Sequence, residues 1–242
     1  MSIVTLLYVG AFYLASVIFI GGLAVVIADY ARTPAPFKIP TTPAPITKSG
    51  VALRMAREVV FFESLFRSSK WTWLFGWLFH AALLLVALRH LRYVTEPVWA
   101  WVTLMQPFGM YAGFALIAGL LGLAARRVLV DRVRYISTPS DHLMLLLFIA
   151  LGASGLAMRF VAHTDIVAVK AFMLGLIYFD WQPMPADPIL MLHLGLVIIL
   201  MIIFPMSKLV HAVGIFFSPT RNQSDDPREN RHVTSWAAPV NR

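Results

Sequence analysis

The sequence predicts an all-α integral membrane protein: a five-transmembrane-helix bundle with its N-terminus outside and its C-terminus inside. Of the 242 residues, 59% are hydrophobic and only 13% are charged, whereas a soluble domain carries about 25% charged residues. The apolar residues form blocks of about 20, the length that crosses the hydrocarbon core, rather than amphipathic stripes. The solvent for most of this chain is therefore lipid.

The apolar blocks define the predicted spans, which cover residues 4–28, 71–92, 105–125, 142–162 and 188–211. The first block continues to Ile27, too long for the core of a cleaved signal, so we expect it to remain as a span. A further apolar run, Ile166–Phe179, is interrupted by Lys170 and is too short to cross the bilayer. We expect this run to lie against the bundle.

The connection 29–70 combines two kinds of sequence. It opens with a proline-rich stretch, and from Val51 to Phe61 apolar and charged residues then alternate as on an amphipathic surface helix. The polar residues 219–242 follow the last span. We therefore expect a membrane domain, residues 1–218, and an exposed tail, residues 219–242.

The basic residues predict the orientation. Seven Lys or Arg lie in the connection 29–70, four lie in residues 126–134 and five lie from Lys208 onward, against four in the two remaining connections. Cytoplasmic connections carry the excess of basic residues, so these three regions are predicted to be cytoplasmic. Topology thus accounts for the net charge of +8, and no nucleic-acid partner is expected.

The sequence contains no cysteine. This excludes disulfides, thiolate zinc sites, iron–sulfur clusters and c-type haem attachment within this chain. Any bound metal must be held by His, Met or carboxylates. No Gly-rich phosphate loop, carboxylate pair or nucleophilic triad appears, so no catalytic residue is predicted.

Four of the seven histidines lie within or at the ends of two predicted spans: His80 and His90 on the second, His193 and His211 on the fifth. A single membrane histidine is often only hydrogen-bonded to a neighbouring helix. Two histidines on each of two helices, however, are what two bis-histidine haems require, because haem iron accepts imidazole from opposite faces. The sequence therefore predicts two b-type haems.

The directions of the two spans predict which histidines share a haem. The second span runs outward and the fifth inward, which pairs His80 with His211 at an inner haem and His90 with His193 at an outer one. Along a straight helix the first two histidines lie about 15 Å apart and the last two about 27 Å apart. We expect tilt and a kink at Pro205 to absorb the mismatch.

The remaining basic residues have two interpretations each, whereas for two further histidines the structural interpretation is favoured. Arg89 and Arg92 beside His90 either snorkel to the interface or neutralise haem propionates. His142 and His163 sit at the ends of the fourth span, where wet helix ends tolerate histidine. The remaining basic cluster is a topology signal or a docking site for a cytoplasmic partner, and it comprises Arg126, Arg127, Arg132 and Arg134.

The histidine pattern resembles that of the cytochrome b (gamma) subunits of respiratory nitrate reductases. The matching segments are Gly76–His80 with His90 ten residues on, Arg127–Gly155, and His193 through Pro205 to His211. With the order of the spans, the resemblance covers most of residues 1–215. Within this superfamily, Lys38–Phe66 and Phe216–His232 look most like the membrane cytochrome of the Dsr sulfur-metabolism complex (DsrM).

The resemblance implies a dihaem subunit, in a bacterial or archaeal cytoplasmic membrane, that exchanges electrons between quinone and a cytoplasmic iron–sulfur protein. It also implies an outer multihaem cytochrome and further membrane subunits. The sequence departs from the nitrate reductase pattern at the position linked to quinol binding. Nitrate reductase subunits carry a basic residue linked to quinol binding just before the third span, but residues 93–125 contain no Lys or Arg. The quinone site is therefore not transferable residue by residue.

Three alternatives differ from a dihaem subunit of Dsr type: a haem-free membrane anchor for redox subunits, a quinol oxidase subunit of nitrate reductase type, and a proton or solute transporter. The last is disfavoured because the spans lack buried carboxylates for a relay and paired broken helices. An optical spectrum of the reduced protein separates the anchor from the cytochromes.

Overall fold

The structure is a computed structural model that describes residues 1–34, 40 and 42–225. Within these residues the chain forms only helices and turns, with no β-strand. The α-helices in chain order are α1 (Ile3–Arg32), α2 (Lys48–Phe61), α3 (Glu63–Ser68), α4 (Lys70–His90), α5 (Ala100–Leu129), α6 (Asp131–Ile136), α7 (Pro139–Phe160), α8 (Ile166–Tyr178), α9 (Pro188–Ile203), α10 (His211–Phe217) and α11 (Pro219–Asn222).

In the described part of the chain, five helices are long and apolar enough to cross a membrane. They are α1, α4 with its extension to Tyr93, α5, α7, and α9 with its extension to Met206. Leu14, Leu84 and Leu146 on these helices are 59–61% exposed, as expected for side chains that face lipid. The predicted all-α fold with five helices able to span a membrane is confirmed. Its orientation stays a prediction.

The fifth span differs from its prediction as one helix over residues 188–211. Helix α9 ends at Ile203, and two 3₁₀ turns, Phe204–Met206 and Lys208–Val210, precede α10. Pro205 causes the break, because proline lacks an N–H and its ring clashes with the carbonyl four residues earlier. The expected kink is therefore a full interruption, and the rise of about 27 Å for a straight helix between the two histidines does not apply.

The chain divides into two compact units. The first contains Met1–Phe19 and Leu65–Ile203, and the second contains the described residues between Ile20 and Ser64 and from Phe204 to Asp225. In the first unit α4 packs on α5, α5 on α7, and α7 on α9. A Cβ atom on Gly119 of α5 would lie only 2.9 Å from the Phe75 carbonyl oxygen of α4. Small residues of this kind let membrane helices approach closely.

Helix α8 also belongs to the first unit. Asp165 caps its N-terminus, and its apolar face joins a buried cluster of Val9, Phe172, Leu176 and Met184. The Tyr13 hydroxyl on α1 donates a hydrogen bond to the Leu176 carbonyl at 2.8 Å. The prediction that this short apolar run lies against the bundle is confirmed.

In the second unit, α2 confirms a helix over the predicted amphipathic stretch, and Thr47 caps its N-terminus by accepting from the Gly50 N–H. Arg54 on α2 is buried, at 8% exposed, and its Nη2 donates to the Thr220 carbonyl at 2.7 Å. The first residues of the predicted tail therefore pack on α2. Pro36 of the proline-rich stretch and the tail from residue 226 onward lie outside the described residues.

The arginine cluster between α5 and α7 has partners within the first unit. Arg127 Nη1 donates to the Ser137 hydroxyl at 2.8 Å and lies 3.7 Å from the Asp141 carboxylate. Arg134 pairs with Asp131, and Arg126 donates to the Ser69 hydroxyl at 3.4 Å. These contacts favour a structural use for the three arginines that make them, and docking of a partner stays a prediction.

Candidate functional site

The structure brings together the two histidines predicted to share the outer haem. His90 is the last residue of α4, and His193 lies on the second turn of α9. Their ring centres are 6.3 Å apart and their planes differ by 11°. Both residues belong to the first unit, so this geometry lies within one compact body.

Each ring of this pair is oriented through its Nδ1 atom. His90 Nδ1 lies 2.6 Å from the Val86 carbonyl oxygen, and because a carbonyl only accepts, Nδ1 is the donor. His193 Nδ1 lies 2.9 Å from the Ser154 hydroxyl of α7. A neutral imidazole protonated at Nδ1 carries its lone pair on Nε2. Histidines that ligate metals are commonly held in this way.

The other two predicted ligands share this hydrogen-bond pattern. His80 Nδ1 lies 2.7 Å from the Gly76 carbonyl oxygen, and His211 Nδ1 lies 2.7 Å from the Lys208 carbonyl oxygen. His80 and His90 lie on the same unbroken helix, which confirms their rise of about 15 Å. Because His80 belongs to the first unit and His211 to the second, their pairing at one haem stays a prediction.

A cavity of about 340 Å³ lies beside the His90–His193 pair. Its walls come from the second to fifth spans and from α8, and they are mostly apolar side chains and glycines. A Cβ atom on Gly155 would lie 3.5 Å from His193 Cε1, so a larger side chain there would press on the ring. The volume falls in the range of small-molecule and cofactor pockets, about 300–1,000 Å³.

Two arginine side chains line this cavity. Arg89 and Arg159 both line it, and Arg159 Nε also donates to the Met110 sulfur at 3.3 Å. Arg92 is directed elsewhere, since its Nη1 donates to the Gln106 side-chain oxygen at 3.1 Å. Of the two arginines proposed from the sequence for propionates, the structure therefore places Arg89 at the cavity.

Sequence reasoning missed Arg159 and treated His163 only as a helix-end residue, yet both line the cavity. Arg159 lies four residues after Gly155 and therefore on the same face of α7. That spacing is visible in the sequence. Which face of α7 meets His193 depends on how the helices pack.

Asp187 fixes the start of the helix that carries His193. Its carboxylate accepts from the Thr164 hydroxyl and from the backbone N–H groups of Ile189 and Leu190, the latter two at 2.8 and 3.2 Å. The Thr164 hydroxyl chiefly, helped by these two N–H groups, holds the pKa of the Asp187 carboxyl below its usual value despite partial desolvation. Thr164 lines the cavity as well.

The sequence is similar to that of known membrane proteins. A sequence profile described as the nitrate reductase gamma subunit matches residues 63–222, well over half of the 242 residues. The chain belongs to the nitrate reductase gamma subunit family. The matched segment contains all four predicted ligands. Membership in this family confirms the resemblance that the histidine pattern indicated.

Two archaeal relatives refine this placement within the nitrate reductase gamma subunit family. The chain is 35% identical to the Hdr-like menaquinol oxidoreductase cytochrome b-like subunit of Archaeoglobus fulgidus, over 93% of this chain and 81% of the relative. It is 33% identical to the protein of the same name from Archaeoglobus profundus, over 93% and 80% of the two chains. These names are consistent with a Dsr-type membrane cytochrome b.

Proposed function

We propose that this chain is a dihaem b membrane subunit that transfers electrons between the membrane quinone pool and a cytoplasmic iron–sulfur partner. The observation that carries the proposal is the separation of 6.3 Å between the ring centres of His90 and His193. A metal–imidazole bond is about 2 Å long, so two imidazoles on opposite faces of one iron place their ring centres about 6 Å apart.

The donor set suits haem better than a bare metal ion. A haem iron already carries four porphyrin nitrogens, so His90 and His193 would be sufficient to hold it. Among the described residues, no group of three or more His, Cys, Asp or Glu side chains could hold an ion by itself. The mostly apolar cavity beside the imidazoles and the guanidinium groups of Arg89 and Arg159 match a macrocycle with anionic propionates.

The residues around the pair have separate tasks in this proposal. When bound, haem supplies the one-electron chemistry of its iron. The Val86 carbonyl and the Ser154 hydroxyl accept the Nδ1 protons, which leaves Nε2 of each ring as the atom that would hold the haem iron. The apolar walls would exclude water from the bound macrocycle, and Arg89 and Arg159 would stabilise negative charge at its edge.

Two further arguments support the substrate and the partners. Both relatives are named as subunits of a menaquinol oxidoreductase, which supports quinol as the membrane electron carrier and further subunits in the complex. The resemblance to Dsr-type cytochromes supports dissimilatory sulfur metabolism, a cytoplasmic iron–sulfur partner and an outer multihaem cytochrome. The same resemblance supports a cytoplasmic membrane location, and the charge bias supports an orientation with the N-terminus outside.

Haem counting tests the proposal. Reduced-minus-oxidised spectra with a pyridine haemochrome assay are expected to give two b haems per chain for the wild type. His80→Ala and His211→Ala are each expected to leave one haem. His142→Ala is the matched control, since this exposed histidine on α7 has no assigned role, and it should keep two. A wild-type protein without haem would refute the proposal and favour the membrane anchor.

A further inference from the structure

Ser154 distinguishes His193 from the other three predicted ligands. His80, His90 and His211 donate from Nδ1 to backbone carbonyl oxygens of nearby residues in their own segments. The Nδ1 atom of His193 instead lies 2.9 Å from a side-chain hydroxyl on a different helix. A single substitution can therefore remove this partner, whereas a backbone carbonyl cannot be removed.

The direction of the hydrogen bonds follows from the surroundings of the hydroxyl. Ser154 Oγ lies 2.7 Å from the Ala150 carbonyl oxygen and 3.1 Å from that of Leu151, so its hydrogen is donated to these carbonyls. Its lone pair then accepts the Nδ1 proton of His193. Ser154 is only 5% exposed, which leaves little access for a competing water. A hydrogen-bond chain thus links His193 to the backbone of α7, and bonds in such a chain strengthen one another.

We propose that Ser154 is a positioning residue that holds His193 as an axial ligand and sets the reduction potential of the outer haem. This inference rests on the proposed function, because it requires haem on His193. An acceptor at Nδ1 makes the imidazole a stronger electron donor, which stabilises ferric iron relative to ferrous iron. Without Ser154 the His193 ring loses this side-chain partner and keeps only its hydrogen bond with the Leu151 backbone.

The test compares Ser154→Ala with a matched control on α1. Ser16 Oγ donates to the Phe12 carbonyl at 2.8 Å, so Ser16→Ala removes the same kind of helix hydrogen bond away from the histidines. In Ser154→Ala we expect an upward shift in the potential of the outer haem, a changed ferric EPR signal, and outer-site haem affinity lowered about 10- to 100-fold. The inner haem should be unchanged, and Ser16→Ala should match the wild type.

Two conservative variants separate positioning from folding. Ser154→Thr keeps the hydroxyl and is expected to restore the wild-type potential. Ser154→Cys keeps a side chain of similar size with a weaker acceptor, and should shift the potential in the same direction as alanine but less. If Ser154→Ala loses both haems through misfolding, Ser154→Cys decides the question.

Two results would overturn the inference. If Ser154→Ala, or Ser154→Cys where alanine misfolds, has the potential, EPR signal and occupancy of the wild type, Ser154 does not act on the haem. This result would leave the proposed function intact, since the wild type would still hold two haems. A wild type without haem would refute the proposed function, and this inference with it.

Discussion

The contact between α4 and α5 predicts that Gly109→Ala impairs the outer haem. Gly109 is buried on α5, opposite the last turns of α4. A Cβ atom built there would lie 2.6 Å from Arg89 Cβ and 2.7 Å from the Leu85 carbonyl oxygen. Ordinary contacts of a Cβ atom begin at 3.4 Å, and the backbone oxygen cannot rotate away. The variant must therefore push α4 away from α5 next to His90.

The structure gives the size of this displacement. Relief of the contact with the Leu85 oxygen requires a shift from 2.7 to 3.4 Å, or about 0.7 Å. Overpacking of this kind costs about 1–3 kcal/mol, and the better helix propensity of alanine returns about 1 kcal/mol. Metal ligands tolerate errors of about 0.2 Å. A shift of His90 by about 0.7 Å should therefore weaken haem binding more than it weakens the fold.

The assay measures outer-haem occupancy and thermal unfolding in detergent. We expect Gly109→Ala to lose part of the outer-haem component, retain the inner one, and unfold at a slightly lower temperature. Gly10→Ala on α1 is the control, because nothing lies within 4 Å of a Cβ atom there. If Gly109→Ala and Gly10→Ala have equal haem occupancy and equal stability, the close approach of α4 and α5 does not position His90.

Three further predictions concern the helix cap, the tail and the orientation. Asp187→Ala should lower the free energy of unfolding by about 1 kcal/mol at neutral pH. Folding lowers the pKa of the Asp187 carboxyl. The ionised carboxylate therefore stabilises the fold above the ordinary aspartate pKa, and this stabilisation is lost as pH falls through the folded-state pKa. In acid, the unfolding temperatures of Asp187→Ala and the wild type should therefore converge. Truncation after Asp225 keeps the contacts of the tail with α2 and should weaken co-purification with the iron–sulfur partner while both haems stay bound; unchanged co-purification would exclude a role for residues 226–242. A reporter fused after Arg242 should be active only in the cytoplasm, and external activity would contradict the predicted orientation.

The spans were predictable because the bilayer fixes the length of an apolar helix. The end of the fifth span was not, because a membrane helix either kinks or breaks at a proline according to how its neighbours satisfy the freed backbone groups. The sequence therefore showed Pro205 as a perturbation without showing that α9 ends at Ile203. The caps at Thr47 and Asp165 follow ordinary rules for helix N-termini.

The candidate site was also predictable only in part. Opposite span directions were enough to predict that His90 and His193 lie close together, because depth in the membrane orders the residues of each helix. Their binding to one haem stays a prediction. Ser154 and Arg159 were not predictable, since α7 supplies them and its rotation about its own axis comes from packing. Arg92 shows the converse, because its position beside His90 in the sequence does not bring it to the cavity; it bonds Gln106 instead.

Redox titration of His90→Ala and His193→Ala tests the central claim most directly. If both imidazoles ligate one iron, either change deletes an axial ligand of the same haem. We predict that each variant loses the same component of a two-component titration and retains a single haem with the same residual potential. His80→Ala should retain the other component. Residual potentials that differ between His90→Ala and His193→Ala would contradict the shared haem.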